Sequence, residues 1–257
     1  MIDLIVGNYD WMAGLVAVAL IFVFTVLAQK IVFSIPAIAK TREYNNAQNK
    51  DKWRNKGKKY HERVKTSQKV GMGAYLFFLI IVQPFIVTLD AQPPWRILLD
   101  VFLILMIYDF FYYLTHRFLF HGQGYFRRVH AVHHQARSRI SSIDSHLVHP
   151  TETFIGVALF YVVTTFYAVI VGEPFNVATI VITSIIYTQI NQLNHCRIDL
   201  HTFPWRTVNW IAIRHDAHHI DMHKGNYATI TLLYDWLFGT LEVNPIELEA
   251  KEAPVHN

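Results

Sequence analysis

The chain has 257 residues, 53% of them hydrophobic and 16% charged, with a formal net charge of +4. That balance excludes intrinsic disorder, and 11 Gly and 9 Pro exclude collagen-like and low-complexity classes. A single cysteine, Cys196, excludes an intrachain disulfide framework and a thiolate zinc finger.

Long uncharged runs dominate the chain order. Trp11–Gln29 is the first and Val70–Leu89 the second. Pro94–Leu114 follows, interrupted by Asp100 and Asp109, and then come Thr153–Gly172 and Pro174–Asn194. Each is about as long as a helix needs to cross roughly 30 Å of hydrocarbon. Core helices of a soluble protein are the rival reading. A chain this short, however, has too few polar helices to cover so many apolar ones. The expected fold class is therefore all-α: an integral membrane helical bundle of four to five transmembrane helices with a cytoplasmic helical cap. If only four helices cross, the segment around Pro84 or the last run is the interfacial one.

Charge sets the expected orientation. Lys40–Lys69 holds 11 of the 23 Lys and Arg, whereas the connections at 90–96 and 172–176 hold only Arg96. Basic loops stay cytoplasmic, so five spans put the N-terminus outside. The 40–69 loop, 115–152 and 195–257 then share the cytoplasmic side of a bacterial inner membrane or endoplasmic reticulum. No basic residue precedes the first run, so it is not read as a cleaved signal peptide. The cluster Lys50, Lys52, Arg54, Lys56, Lys58 and Lys59 invites a nucleic-acid reading. Beside a membrane span, topology and attraction to anionic lipid explain it more simply, and no nucleic-acid partner is expected.

Of 15 histidines, 13 lie between His116 and His223, in two groups that each follow an apolar run. The first reads His116, His121, then His130-Ala-Val-His133-His134; the second reads His195, then His215-Asp-Ala-His218-His219. Offsets of three and four are expected to put each HxxHH triplet on one helical face. His116 and His121, five apart, do not share an α-helical face and need a loosened helix end. Nine imidazoles exceed the needs of one four-coordinate ion and suit two metals. A histidine pH sensor needs one or two such groups, not nine. Imidazole alone does not choose among Zn, Cu, Fe and Ni. The HExxH motif is absent, which removes the main support for intramembrane proteolysis. Haem ligation is weakened because these histidines lie beyond the spans. A metal transporter is weakened because its ligands belong at mid-membrane. His146, His149, His201 and His223 remain open as contributors.

Asp109-Phe-Phe-Tyr-Tyr113-Leu-Thr-His116-Arg117, the HxxxxH and the two HxxHH boxes resemble the fatty acid hydroxylase and sterol desaturase superfamily. The run His215 to His219 followed by Gly225-Asn226-Tyr227 and Trp236-Leu-Phe-Gly239-Thr240, with His195-Cys-Arg-Ile-Asp199, is similar to its sterol C-4 methyl oxidase branch. The resemblance divides the chain into N-terminal membrane helices (1–94), a catalytic domain (95–241) and a C-terminal tail (242–257).

The resemblance implies a non-haem di-iron centre, two iron ions with O2 as co-substrate, that hydroxylates an unactivated C–H bond of a lipid. Desaturation on the same centre is the alternative, since no residue distinguishes the two outcomes. The implied ligands are His116, His121, His130, His133, His134, His195, His215, His218 and His219. Asp199 is a further ligand or an outer acceptor. Asp109 shares a helical face with Tyr113 and His116 and is expected to hold a ligand imidazole by its second nitrogen. No nicotinamide or flavin fingerprint is present, so electrons are expected from a separate carrier protein. Ser184, Thr188, Asn191 or Gln192, and His195 form a polar stripe that either lines a substrate cavity or bonds neighbouring helices. Oligomeric state is not indicated.

Overall fold

The computed structural model describes residues 7–137, 140–196, 198, 200 and 202–244. Asp10 starts the first helix, α1 (Trp11–Val32), by accepting the N–H of Ala13 at 2.8 Å. Pro36 opens α2 (Pro36–Asn55), and α3 (Lys58–Phe77) begins after Gly57. The 40–69 stretch is thus not the loop that its charge alone suggests. Its Lys, Arg, Gln and Ala residues are good helix formers, and they build two helices broken only at 56–57.

The α3 helix continues through a π-helical turn, Phe78–Val82, and a 3-10 turn, Gln83–Phe85, where Pro84 interrupts the α-helical pattern. Then come β1 (Val87–Thr88), α4 (Pro94–Leu114) and a second π-helical turn, Thr115–Phe120. The short α5 (Tyr125–His130) is followed by two 3-10 turns, His133–Gln135 and Ser142–His146. Next is α6 (Pro150–Val171), which stops at Gly172 in a left-handed conformation that favours glycine (φ +76°). Strand β2 (Phe175–Asn176), α7 (Val177–Leu193), α8 (Trp205–Ile220) and α9 (Leu233–Leu237) complete the described elements.

Among the described residues, four helices are long and apolar enough to cross a membrane: Trp11–Val32, Lys58–Phe85, Pro94–Phe120 and Pro150–Val171. The fifth expected span, α7, has 17 residues and rises about 25 Å. It packs between α1 and α4, while α6 packs against α3 and α4. Phe22, Phe102 and Val162 stay more than half exposed on the outer faces, as a lipid-facing surface requires. Ile86, Ile104, Tyr108, Phe160 and Phe175 fill the interior.

One end of the bundle is closed by backbone pairing. Strands β1 and β2 run parallel, with Val87 opposite Phe175, and Asn8 donates to the carbonyls of Phe85 and Val87. Asp100 belongs to this end. It is fully buried, and it accepts from Arg96 Nε at 2.8 Å and Tyr167 OH at 3.0 Å. The other end carries the histidines.

Candidate metal centre

The π-helical turn after α4 explains the five-residue spacing of the first pair. The N–H of His121 bonds the carbonyl of His116 at 3.0 Å, an i to i+5 closure that brings the two rings to one face with centroids 5.0 Å apart. The first HxxHH box does not lie on one helix as its spacing suggests. His130 is the last residue of α5, and His133 and His134 sit in the following 3-10 turn. The second box does lie on a helix, in the last turns of α8.

The nine imidazoles gather into two groups, each with its ring nitrogens within 4.8 Å of one another. One contains His116, His121, His130, His134 and His218; the other contains His133, His195, His215 and His219. Each box is split between them. His130 and His134, four apart, go to the first group and His133 to the second. His215 and His219, also four apart, go to the second group and His218 to the first.

The rings converge through Nε2. In the first group, His130 Nε2 lies 3.0 Å from the Nε2 atoms of His116 and His134, and His116 Nε2 lies 3.1 Å from that of His218. In the second, the separations are 3.2 Å for His195–His133, 3.3 Å for His215–His195 and 3.2 Å for His219–His215. Imidazoles about 2.1 Å from a shared ion, at tetrahedral to octahedral angles, stand roughly 3.0–3.4 Å apart. Both sets fit that geometry. Hydrogen bonding does not account for every ring nitrogen: Nε2 of His121 and Nδ1 of His134, His215 and His219 are buried without partners among the described residues.

Outer nitrogens elsewhere are fixed. Nδ1 of His116 bonds the Tyr227 carbonyl at 2.7 Å, that of His218 the Gly225 carbonyl at 2.9 Å and that of His195 the Asn191 carbonyl at 3.0 Å. His130 Nδ1 instead bonds the Glu152 carboxylate at 2.7 Å. Such bonds hold the tautomer that turns Nε2 inward as a lone-pair donor. Burial pushes the histidines toward the neutral form: His195 and His218 to about 4, His133 to about 3 and His121 to about 2. Burial, with neighbouring imidazoles, also holds His134, His215 and His219 well below the ordinary value. Neutral rings are what ligation requires.

Asp109 does not hold a ligand imidazole. Its Oδ1 accepts the N–H groups of Thr229 and Ile230 at 2.9 and 2.8 Å, and its Oδ2 accepts the N–H and hydroxyl of Thr231 at 3.0 and 2.8 Å. Three consecutive unpaired N–H groups present a stronger demand to a buried carboxylate than one ring nitrogen does. Tyr113 also lies off the rings' convergence: it stacks on Phe238, and its hydroxyl lies 3.2 Å from Thr240 Oγ1. Asp199 and His201 lie outside the described residues. His149 accepts the Thr151 N–H at the start of α6, while His223 is exposed. Neither joins either group, and nor does His146.

Along the polar stripe, Thr188 bonds back to the Ser184 carbonyl, and Asn191 accepts from the Thr229 hydroxyl. Gln192 lines a cleft of about 210 Å³ with Asn49, Gln68, Ser142, Ile143 and His146. Sequence reasoning missed the role of Glu152. The available signal was its isolation, as the only Glu between residues 63 and 172.

Comparisons with known proteins give the family of the chain. A fatty acid hydroxylase family model matches residues 101–240, more than half of the chain. The chain is 29% identical over 161 residues to Methylsterol monooxygenase 2-2 of Arabidopsis thaliana, covering 58% of this chain and 54% of that protein. It is 29% identical over 160 residues to Very-long-chain aldehyde decarbonylase GL1-11 of Oryza sativa subsp. japonica, with the same two shares. It is 27% identical over 173 residues to Methylsterol monooxygenase 2-1 of Arabidopsis thaliana, covering 58% of each. The chain thus spans about half the length of the curated relatives it matches. No solved structure matches.

Proposed function

The chain belongs to the fatty acid hydroxylase family, and from that premise we propose that it is a membrane-bound non-haem di-iron oxygenase that hydroxylates a lipid. The observation that carries the reading is the gathering of nine imidazoles into a five-member and a four-member group at one end of an apolar bundle. The ligands are His116, His121, His130, His134 and His218 for one ion, and His133, His195, His215 and His219 for the other. Two iron ions held there would supply O2 activation and attack on an unactivated C–H bond, with two electrons from a separate carrier.

The residues of this chain position and isolate that chemistry. The carbonyls of Tyr227, Gly225 and Asn191 fix three ligand rings. Asp109 holds the 229–231 backbone and so supports the segment that supplies Tyr227 and Gly225. Tyr112, whose ring lies 5.4 Å from that of His116, walls the apolar side of the site. The substrate is a sterol-like or fatty-acyl lipid that enters from the bilayer. The site faces the cytoplasm, where the basic helices α2 and α3 meet anionic lipid and the electron carrier.

Metal analysis of purified protein tests this reading. Two iron per chain, with O2 consumed and an oxygenated lipid formed on adding reductant and lipid, is the expected result. One metal per chain, or haem absorbance, overturns it.

A further inference from the structure

The two imidazole groups differ in one respect that their ligand count does not express. Among the described residues, the carboxylate hydrogen-bonded to either group is that of Glu152, and it touches only the five-membered one. The bond from His130 Nδ1 to Glu152 Oε1 is 2.7 Å, with His130 fully buried and Glu152 7% exposed. Every other bonded outer nitrogen, in both groups, meets a neutral backbone carbonyl, including the longer His133 contact to Leu147 at 3.4 Å. Glu152 stands in the first turn of α6, where the helix dipole favours a negative charge. Its second oxygen, Oε2, is buried without a partner among the described residues, so no local donor pair there accounts for the carboxylate.

We propose that Glu152 is a positioning residue that makes the five-histidine group the tighter and first-filled of two unequal metal sites. It fixes the His130 tautomer, aims Nε2 at the point shared with His116 and His134, and bonds its negative charge directly to a ligand of that group, while it reaches the other group only through space, at His133. A charged acceptor strengthens the donor power of the imidazole it holds more than a carbonyl does. Among the described residues, no such carboxylate bond reaches the four-histidine group, and two of its outer nitrogens, on His215 and His219, have no partner. The inference rests on reading the two groups as metal sites.

The test is a titration of metal-free full-length protein in detergent with Co(II), followed by its visible absorption. The unmodified protein should bind two ions in resolved steps, and His218→Ala should remove the tighter step. Glu152→Ala should weaken the tighter step about 10- to 100-fold and leave the weaker step in place. Glu152→Gln retains an oxygen that accepts the His130 N–H but carries no charge, so its affinity should fall between the two. Unaltered near-ultraviolet circular dichroism in the Gln variant shows that its fold is intact. A tighter step unchanged in both variants, or both steps weakened equally, overturns the assignment of Glu152. Failure of the unmodified protein to take two ions overturns the two-metal reading itself.

Discussion

The Asp109 carboxylate accepts both the backbone N–H and the hydroxyl of Thr231, 122 residues further along the chain. It is fully buried near the end of α4 and also takes the N–H groups of Thr229 and Ile230. The loop it clamps begins at the carbonyls that hold His218 and His116. Asp109→Ala orphans three backbone donors, two of them buried and that of Thr231 half-buried, at about 1–3 kcal/mol for each buried one, so a loss of about 3 kcal/mol or more is expected. Asp109→Asn keeps one acceptor oxygen and should lose about half as much. Thermal unfolding in detergent measures both. Metal content should fall with stability in each variant, and a variant of normal stability and full metal content sinks the clamp.

The division of each HxxHH box between two groups makes a sharper prediction than general loss of activity. His215 lies in the four-membered group and His218, one turn away on α8, in the five-membered group. His215→Ala should remove one metal equivalent and His218→Ala the other, and each should abolish turnover. Plasma emission analysis of iron per chain checks this. Loss of both ions from either single variant would mean one shared cluster rather than two sites.

The histidines were legible because their spacing is independent of the rest of the fold. Their partition was not. A sequence shows that His130, His133 and His134 are near one another. It does not show that α5 ends at His130, which turns His133 away from its neighbours. The π-helical closure from His116 to His121 was likewise out of reach, although the need for a loosened helix end followed from the spacing. Asp109 stood out as a carboxylate in an apolar run, but its partners come from a loop 120 to 122 residues away. Glu152 was visible only as an isolated acid, because its role depends on the start of α6 meeting the end of α5. Local pattern thus revealed the chemistry, and tertiary contacts decided which side chain serves which ring.

The basic helices offer a test of where electrons enter. Lys56, Lys58 and Lys59 are exposed around the break between α2 and α3. Arg63, one turn beyond, bonds Gln135 Oε1 at 2.6 Å, next to His134. A carrier with an acidic face docked there would sit beside the segment that supplies three ligands. Changing Lys56, Lys58 and Lys59 to Gln should raise the KM for such a carrier several-fold, leaving turnover with a small chemical reductant unchanged. Raising ionic strength should weaken the unmodified protein in the same way, as the Debye length falls below about 10 Å. Carrier-supported turnover that ignores both salt and the substitutions removes this docking face.

Burial of neutral imidazoles ties stability to pH in the metal-free protein. His195 and His218 are lowered to about 4 and His133 to about 3, from an ordinary value of 6.5, chiefly by burial. Between those limits the unfolded chain binds protons that the folded chain refuses, so stability rises with pH across that window. The contribution is complete above about 6.5 and lost progressively as pH falls toward about 4. Melting temperature of the metal-free protein should therefore be nearly flat at neutral pH and should drop steeply below it. Bound metal competes with protons for the same nitrogens, so the loaded protein should keep its melting temperature to lower pH. Replacing His133 by Asn should shallow the slope of the metal-free curve. A metal-free protein equally stable at pH 7 and pH 5 would mean that these rings are open to water.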